Sequence, residues 1–253
     1  RGGYYPSFGK PHDGLGFGPP IMRHQHGSTG ISGIVHYTAD QFPAEYRNTL
    51  FIGNPITARI NHDRLAEHGG TFEALEQPDF LACDDPWFRP VDLKLGPDGA
   101  LYVADFYNRV IGHYEVPLDH PQRDRERGRI WRIVYEGAGA KPATMPNVAA
   151  SDAGELVELL GHPNLAVRTL ATNRLAVESS FASAETRLLQ VVRSEASVER
   201  RVHAVYVLAR RRPEALDAAL VDGLLADLRP TASALAVHVL RVLGESRSSA
   251  HRE

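Results

Sequence analysis

The stretch Trp87–Arg109, WFRPVDLKLGPDGALYVADFYNR, most restricts what this chain can build. Val91, Leu93 and Leu95 alternate with Asp92 and Lys94, the two-residue period of a half-buried strand. Gly96-Pro97-Asp98-Gly99 then supplies a turn, because Pro97 presets φ and Gly99 accepts a positive one. Leu101-Tyr102-Val103 returns as a second strand. Asp105 closes it, and a polar loop with Asn108 and Arg109 follows. A lone hairpin cannot bury both faces, so this one must belong to a larger sheet array.

The flanking sequence continues the pattern. Ile31–Tyr37 (ISGIVHY) reads as a strand, and Leu50–Ile52 with Ala58–Ile60 as another, broken at Asn54-Pro55. Phe42–Arg47 between them is a turn with aromatic anchors. Residues 66–86, with Gly69-Gly70, Pro78 and Asp84-Asp85-Pro86, read as loop. Val110–Arg127 is a polar excursion, and Arg129–Tyr135 alternates cleanly again. Residues 1–30, rich in Gly, Pro and His, predict an extended segment packed on something else. Short strands at spacings of about 10–15 residues point to an all-β propeller or sandwich. The unit of strand, turn, strand, loop and strand is complete over 91–135 and partial over 31–65, which favours the propeller. Two blades cannot close a ring that needs about four or more. Further blades are therefore expected upstream of Arg1, and the chain is expected to be a fragment.

After a Gly-, Ala- and Pro-rich linker at 137–150 the composition changes abruptly. Segments 155–175, 187–208 and 221–240 align, with Ala171, Ala204 and Ala236 recurring every ~33 residues and Leu175, Leu208 and Leu240 in step. Each unit reads as helix, polar turn, helix, an α-solenoid of HEAT type. The expected architecture is multidomain β + α. Residues 1–136 are the C-terminal blades of a partial β-propeller, 137–150 the linker, 151–245 HEAT-like helical repeats and 246–253 a frayed tail.

The net charge of −3 is spread so that neither half is basic, which argues against nucleic-acid binding. No apolar run is long enough to span a membrane. Cys83, the single cysteine, excludes an internal disulfide, a CxxCH haem site and a multi-cysteine zinc site within the chain. It reads as a small buried or loop residue. The spacing of His12, His24 and His26 matches no metal motif, so these read as loop histidines with hydrogen-bonded rings, and no metal ligand is assigned.

GPDGALYVADFYNR, preceded by WFRP and followed by RGRIWRIVY, resembles a family of large proteins from planctomycete-type and related bacteria, assigned as membrane-bound dehydrogenases. HGSTGISGIVHYTADQFPAEYRNTLFIGN and GHYEVPLDHPQRDRERGRIWRIVY carry the same resemblance, which covers residues 24–136. The family joins a quinoprotein-type sugar (glucose/sorbosone) dehydrogenase-like propeller to HEAT repeats, often with a haem-binding CxxCH module. The resemblance implies pyrroloquinoline quinone and calcium as cofactors and a sugar-like small molecule as substrate. It implies a haem module outside this chain as electron acceptor, with that module or a protein partner at the HEAT repeats. It also implies a periplasmic or extracytoplasmic, membrane-associated location.

The same resemblance places Arg89 at a cofactor-contacting arginine and His26 near an aromatic that flanks the cofactor. Arg59 is the cation nearest an expected lysine, and Trp87 stands where a second arginine is usual. The catalytic base falls in an early blade, so no catalytic residue is assigned here. Arg89 reads equally as a salt-bridge partner of Asp84, Asp85 or Asp92. Asp105, Asn108 and Arg109 occupy a strand-end loop where binding residues collect, and Asp105 reads equally as an Asx cap. Arg123–Arg129, with His113 and His120 nearby, reads as a solvated loop, and Arg210–Arg212 as cations closing a helix. Two functions follow. One is a fragment, inactive alone, of a dehydrogenase oxidising a sugar or alcohol CH–OH by hydride transfer to quinone. The other is a non-catalytic propeller–solenoid that binds protein or glycan partners.

Overall fold

The computed structural model describes residues 22, 24–28, 30–68, 71–112, 116–177, 181–194, 196–216, 220–221, 223 and 233–245. Most of the expected extended segment 1–30, His113 and the tail 246–253 lie outside these. The chain separates into two compact units, residues 1–144 and 145–253. The described residues form two antiparallel sheets in the first and five helices in the second.

The first sheet has the order β1-β2-β3-β4, with β1 Ser32–Tyr37, β2 Thr49–Asn54, β3 Arg59–His68 and β4 Thr71–Ala82. The break at Asn54-Pro55 is a turn between β2 and β3, whose register pairs Asn54 with Arg59 and Leu50 with Asp63. Strand β4 corrects the loop expected at 66–86. Pro78 suggested a breaker, but β4 is an edge strand, where a missing N–H costs little. The register also slips there, from Ile60 opposite Leu81 to His62 opposite Gln77, so a bulge absorbs the proline.

The second sheet, order β5-β6-β7, holds the hairpin: β5 Pro90–Leu95, β6 Leu101–Asp105 and β7 Arg129–Ile133. Gly99 adopts φ +84° and its N–H donates to Gly96 O at 3.0 Å, as the turn chemistry requires. Asp98 holds the turn from below: it accepts from Ala100 N, Tyr102 OH and the Arg132 guanidinium of β7. Leu93, Leu101 and Val103 are fully buried and share one core with Tyr37, Phe51 and Ile60 of the first sheet. Phe42, Tyr46 and Phe80 cluster with Phe51 in that core at ring separations of 4.5–6.3 Å.

The helices are α1 Ala153–Leu159, α2 Leu165–Val177, α3 Phe181–Arg193, α4 Val198–Arg211 and α5 Ser233–Glu245. Asp152 caps α1 in a reciprocal capping box with Glu155, and Ser197 caps α4. α1 packs on α2 and α3, α2 on α4, and α4 on α3 and α5. The recurring small residues Ala171, Ala204 and Ala236 are buried, as are Leu175 and Leu208. Leu240 is instead 56% exposed. The face α5 buries is Leu235, Ala236, Val239 and Val242, the 3–4 spacing of a helical stripe, so Leu240 falls off the contact face. Among the described residues no helix is long and apolar enough to cross a membrane.

Candidate functional site

The candidate residues fall into two groups, both in the first unit. One gathers Arg89, Asp105, Asn108 and Arg109 where β5 begins and β6 ends. Arg89 is buried. Its Nε donates to Asn108 O at 2.8 Å, Nη1 to Pro55 O at 2.6 Å and Ile56 O at 3.4 Å, and Nη2 to Arg109 O at 3.0 Å. Burial pulls its pKa below the ordinary arginine value, against the charges of Asp105 and Asp85. None of the three aspartates proposed as partners bonds to its guanidinium. Arg89 instead ties the β2–β3 turn to the loop after β6, and all three of its nitrogens are occupied by backbone.

Asp105 is also a tie. Its Oδ1 accepts from the backbone N–H of Arg89 and of Tyr107, both at 2.8 Å, and its Oδ2 from Trp131 Nε1 at 3.0 Å. The bond to Tyr107 is the Asx cap, and it accompanies φ +45° at Tyr107. Asn108 is buried and clamps the loop to Asp124, donating to its O at 2.8 Å. Of this group only the Arg109 side chain is exposed.

An aromatic patch lies beside these ties. Trp87 and Tyr107 are half-buried with ring centroids 5.5 Å apart. The Arg129 guanidinium lies 3.3 Å from the Tyr107 ring centre and 5.7 Å from that of Trp131, a cation–π arrangement. Trp131 is 45% exposed on edge strand β7, next to the exposed Ile130. Both tryptophans of the chain are therefore here. The sequence reading missed this patch because it took Arg123–Arg129 as solvent-facing charge.

The second group forms on the polar face of the first sheet. Along β3 the residues Arg59, Asn61 and Asp63 face one side, while Ile60 and His62 face the apolar core. Asp63 is fully buried. His24 Nε2 lies 3.0 Å from its Oδ1 and His26 Nε2 3.2 Å from its Oδ2, with the two Nε2 atoms 3.3 Å apart. His26 Nδ1 is 3.8 Å from Glu76. Burial alone would lower the His26 pKa, but the hydrogen bond and charge of Asp63, with Glu76 and Asp79, hold it above the usual value.

A chain of amides supports the cluster. Asn54 Nδ2 donates to His26 O at 2.8 Å and Asn61 Oδ1 at 3.1 Å, and Asn61 Nδ2 donates to Asp79 Oδ1 at 2.6 Å. Asp79 in turn pairs with Arg59. Arg59 and His26, assigned separately to a cofactor, thus belong to one network. His62, across the sheet, stacks near Phe51 and Tyr46 at 5.3 and 5.4 Å, and burial lowers its pKa.

This geometry is a poor match for a quinone and calcium. Arg89 and Arg59, the cations expected at the quinone, are engaged by carbonyls and by Asp79. Two imidazoles and one carboxylate suit a transition ion rather than calcium, which takes oxygen ligands. Residues 16–137, essentially the first unit, match a family described as Domain of unknown function (DUF7133). No curated protein and no solved structure matches the chain.

Proposed function

We propose that this chain is a recognition module: the end blades of a β-propeller that bind carbohydrate, followed by a HEAT-type solenoid that docks a protein partner. The aromatic patch carries this reading. Trp131, 45% exposed, is an aromatic group against which the C–H face of a sugar can stack, while Arg129 and the strand edge offer hydrogen bonds to hydroxyls. Exposed apolar surface gathered into a patch and rimmed by polar residues is the kind of surface that binds partners. Trp87, standing where the resembling family has an arginine, extends the patch. The engagement of Arg89 by four carbonyls supports recognition rather than turnover. Because both tryptophans lie in the patch, their fluorescence reports on it directly. Oligosaccharide titration is expected to shift the emission, and Trp131→Ala is expected to weaken binding at least tenfold while costing about 1–3 kcal/mol of stability through the lost bond to Asp105. Unchanged emission across a panel of neutral and acidic oligosaccharides refutes the reading.

The second reading is the quinoprotein-like sugar or alcohol dehydrogenase, extracytoplasmic and membrane-associated, passing electrons to a haem module outside this chain. The buried His26–Asp63 pair favours it, since an imidazole held by a carboxylate is the group that removes a hydroxyl proton. Its test is sugar-dependent dye reduction by the complete protein with pyrroloquinoline quinone and Ca²⁺. Absence of reduction across a sugar panel excludes it.

A further inference from the structure

We infer that His24, His26 and Asp63 form a binding site for one divalent transition-metal ion of the zinc type. Their ligand atoms all lie within 4.8 Å of one another. The His24 and His26 Nε2 atoms lie 3.3 Å apart, His24 Nε2 3.0 Å from Asp63 Oδ1 and His26 Nε2 3.2 Å from Asp63 Oδ2, so small side-chain shifts would bring both nitrogens and a carboxylate oxygen to bonds of about 2.0–2.1 Å around one ion. The two imidazoles are nearly perpendicular, at 80° with centroids 4.8 Å apart. They therefore meet through their Nε2 corners and do not stack.

Charge points the same way. Asp63 is fully buried, and among the described residues no lysine or arginine pairs with it. Glu76 adds a second carboxylate beside His26, whereas Asp79 is neutralised by Arg59. The site is thus an anionic pocket in which the buried carboxylate is offset by the imidazoles alone, and a divalent cation bound there would compensate it further. A hard oxygen-seeking ion is disfavoured by the two nitrogens, and a thiolate-seeking ion by the lack of sulfur.

The ligands are also held in place, as a metal site requires. Asp63 sits on an inner strand between β2 and β4. The backbone of His26 is held by Asn54, and Ser28 donates to the same Asn54 at 3.0 Å. Met22 forms a parallel backbone bridge to Ala74 of β4. Three protein ligands leave a fourth position, on the side where the His24 side chain keeps 17% exposure. That open position would take water or a ligand oxygen, the pattern of a reactive rather than a closed structural zinc site. The inference does not depend on carbohydrate binding.

The test uses the whole chain, freed of metal with a chelator and titrated with Co²⁺ by visible absorption and with Zn²⁺ by calorimetry. One equivalent of each is expected to bind, with Co²⁺ giving the intense bands of a four- or five-coordinate site. His26→Ala, Asp63→Asn and His24→Ala are each expected to weaken binding at least 100-fold, and His120→Ala to leave it unchanged. His24 lies on the exposed side, so His24→Ala gives the answer even where Asp63→Asn fails to fold. The site is overturned if the wild-type chain takes up no ion, or if His24→Ala and His26→Ala bind as tightly as wild type.

Discussion

Replacing Arg89 separates a structural tie from a ligand-binding cation. In Arg89→Ala the carbonyls of Pro55, Ile56, Asn108 and Arg109 lose their donor, and a cavity the size of the side chain opens beneath them. Three of those contacts are 2.6–3.0 Å, and hydrogen bonds to a charged group contribute ~1.5–3 kcal/mol each. The cost of having desolvated the guanidinium offsets part of that sum. Loss of about 3–5 kcal/mol is expected, the range for breaking a buried charged network. For a unit of this size each kcal/mol shifts the midpoint by about 2–4 °C, so the first unit should melt about 10 °C lower. Arg89→Lys keeps the charge but not the planar fork, and should recover less than half of the loss. The assay is scanning calorimetry of the whole chain, with the helical transition as an internal reference and oligosaccharide binding measured in parallel. A drop below about 2 °C with lost binding refutes the argument and returns Arg89 to the ligand.

Two further outcomes test the fold. At Gly99, an added Cβ would lie 2.8 Å from Gln41 Cβ at φ +84°, and Gln41 in turn bonds both Tyr135 N and O; Gly99→Ala should cost about 2–4 kcal/mol, and urea unfolding with an unchanged midpoint would contradict it. In the helical unit, burial first, then the charges of Arg168 and His238, push His203 down to about 4 against the opposing pull of Glu199, its rings' nitrogens facing Thr172 Oγ1 and Arg168 Nε. A histidine depressed in the folded state adds stability that is present above its ordinary value of about 6.5 and is lost as pH falls through about 4. Because His203 is only half-buried, screening reduces the effect to about 1–2 kcal/mol. The helical transition should therefore weaken between pH 7 and pH 4, and His203→Gln should flatten that slope; an equal slope in the variant would assign it elsewhere.

What the sequence disclosed depends on the range of the interaction involved. The β5–β6 hairpin was readable because its turn and its alternation are local, and Gly99 announces its own conformation. The buried alanines of the helices were readable because they repeat. Strand β4 was hidden: Pro78 is a breaker everywhere except at an edge or a bulge, and neither is visible in one strand's residues. Arg89 was readable as important but not as to role, because its partners are backbone carbonyls, which every residue possesses. The His24–His26–Asp63 cluster was hidden because its contacts span 37 and 39 residues. The His–x–His spacing matched no metal motif because the third ligand comes from a strand.

Strand β3 joins these observations. Its two-residue period sends Ile60 and His62 into the apolar core and Asn61 and Asp63 to the opposite face, which no second sheet covers among the described residues. Asn54, Asn61 and Asp63 are nevertheless buried, because residues 24–28 lie over them and supply His24, His26 and the His26 carbonyl. Burying an unpaired aspartate would otherwise be unfavourable, so this cover is maintained by the polar contacts it makes. An ion at the three ligands would link chain ahead of β1 to β3 through metal–ligand bonds. Binding only the folded form, it would stabilise the unit by about 2.7 kcal/mol at a hundredfold excess over Kd. Metal occupancy would therefore be linked to the docking of residues 24–28 on β3, and a ligand at the open fourth position would meet a site that those residues complete.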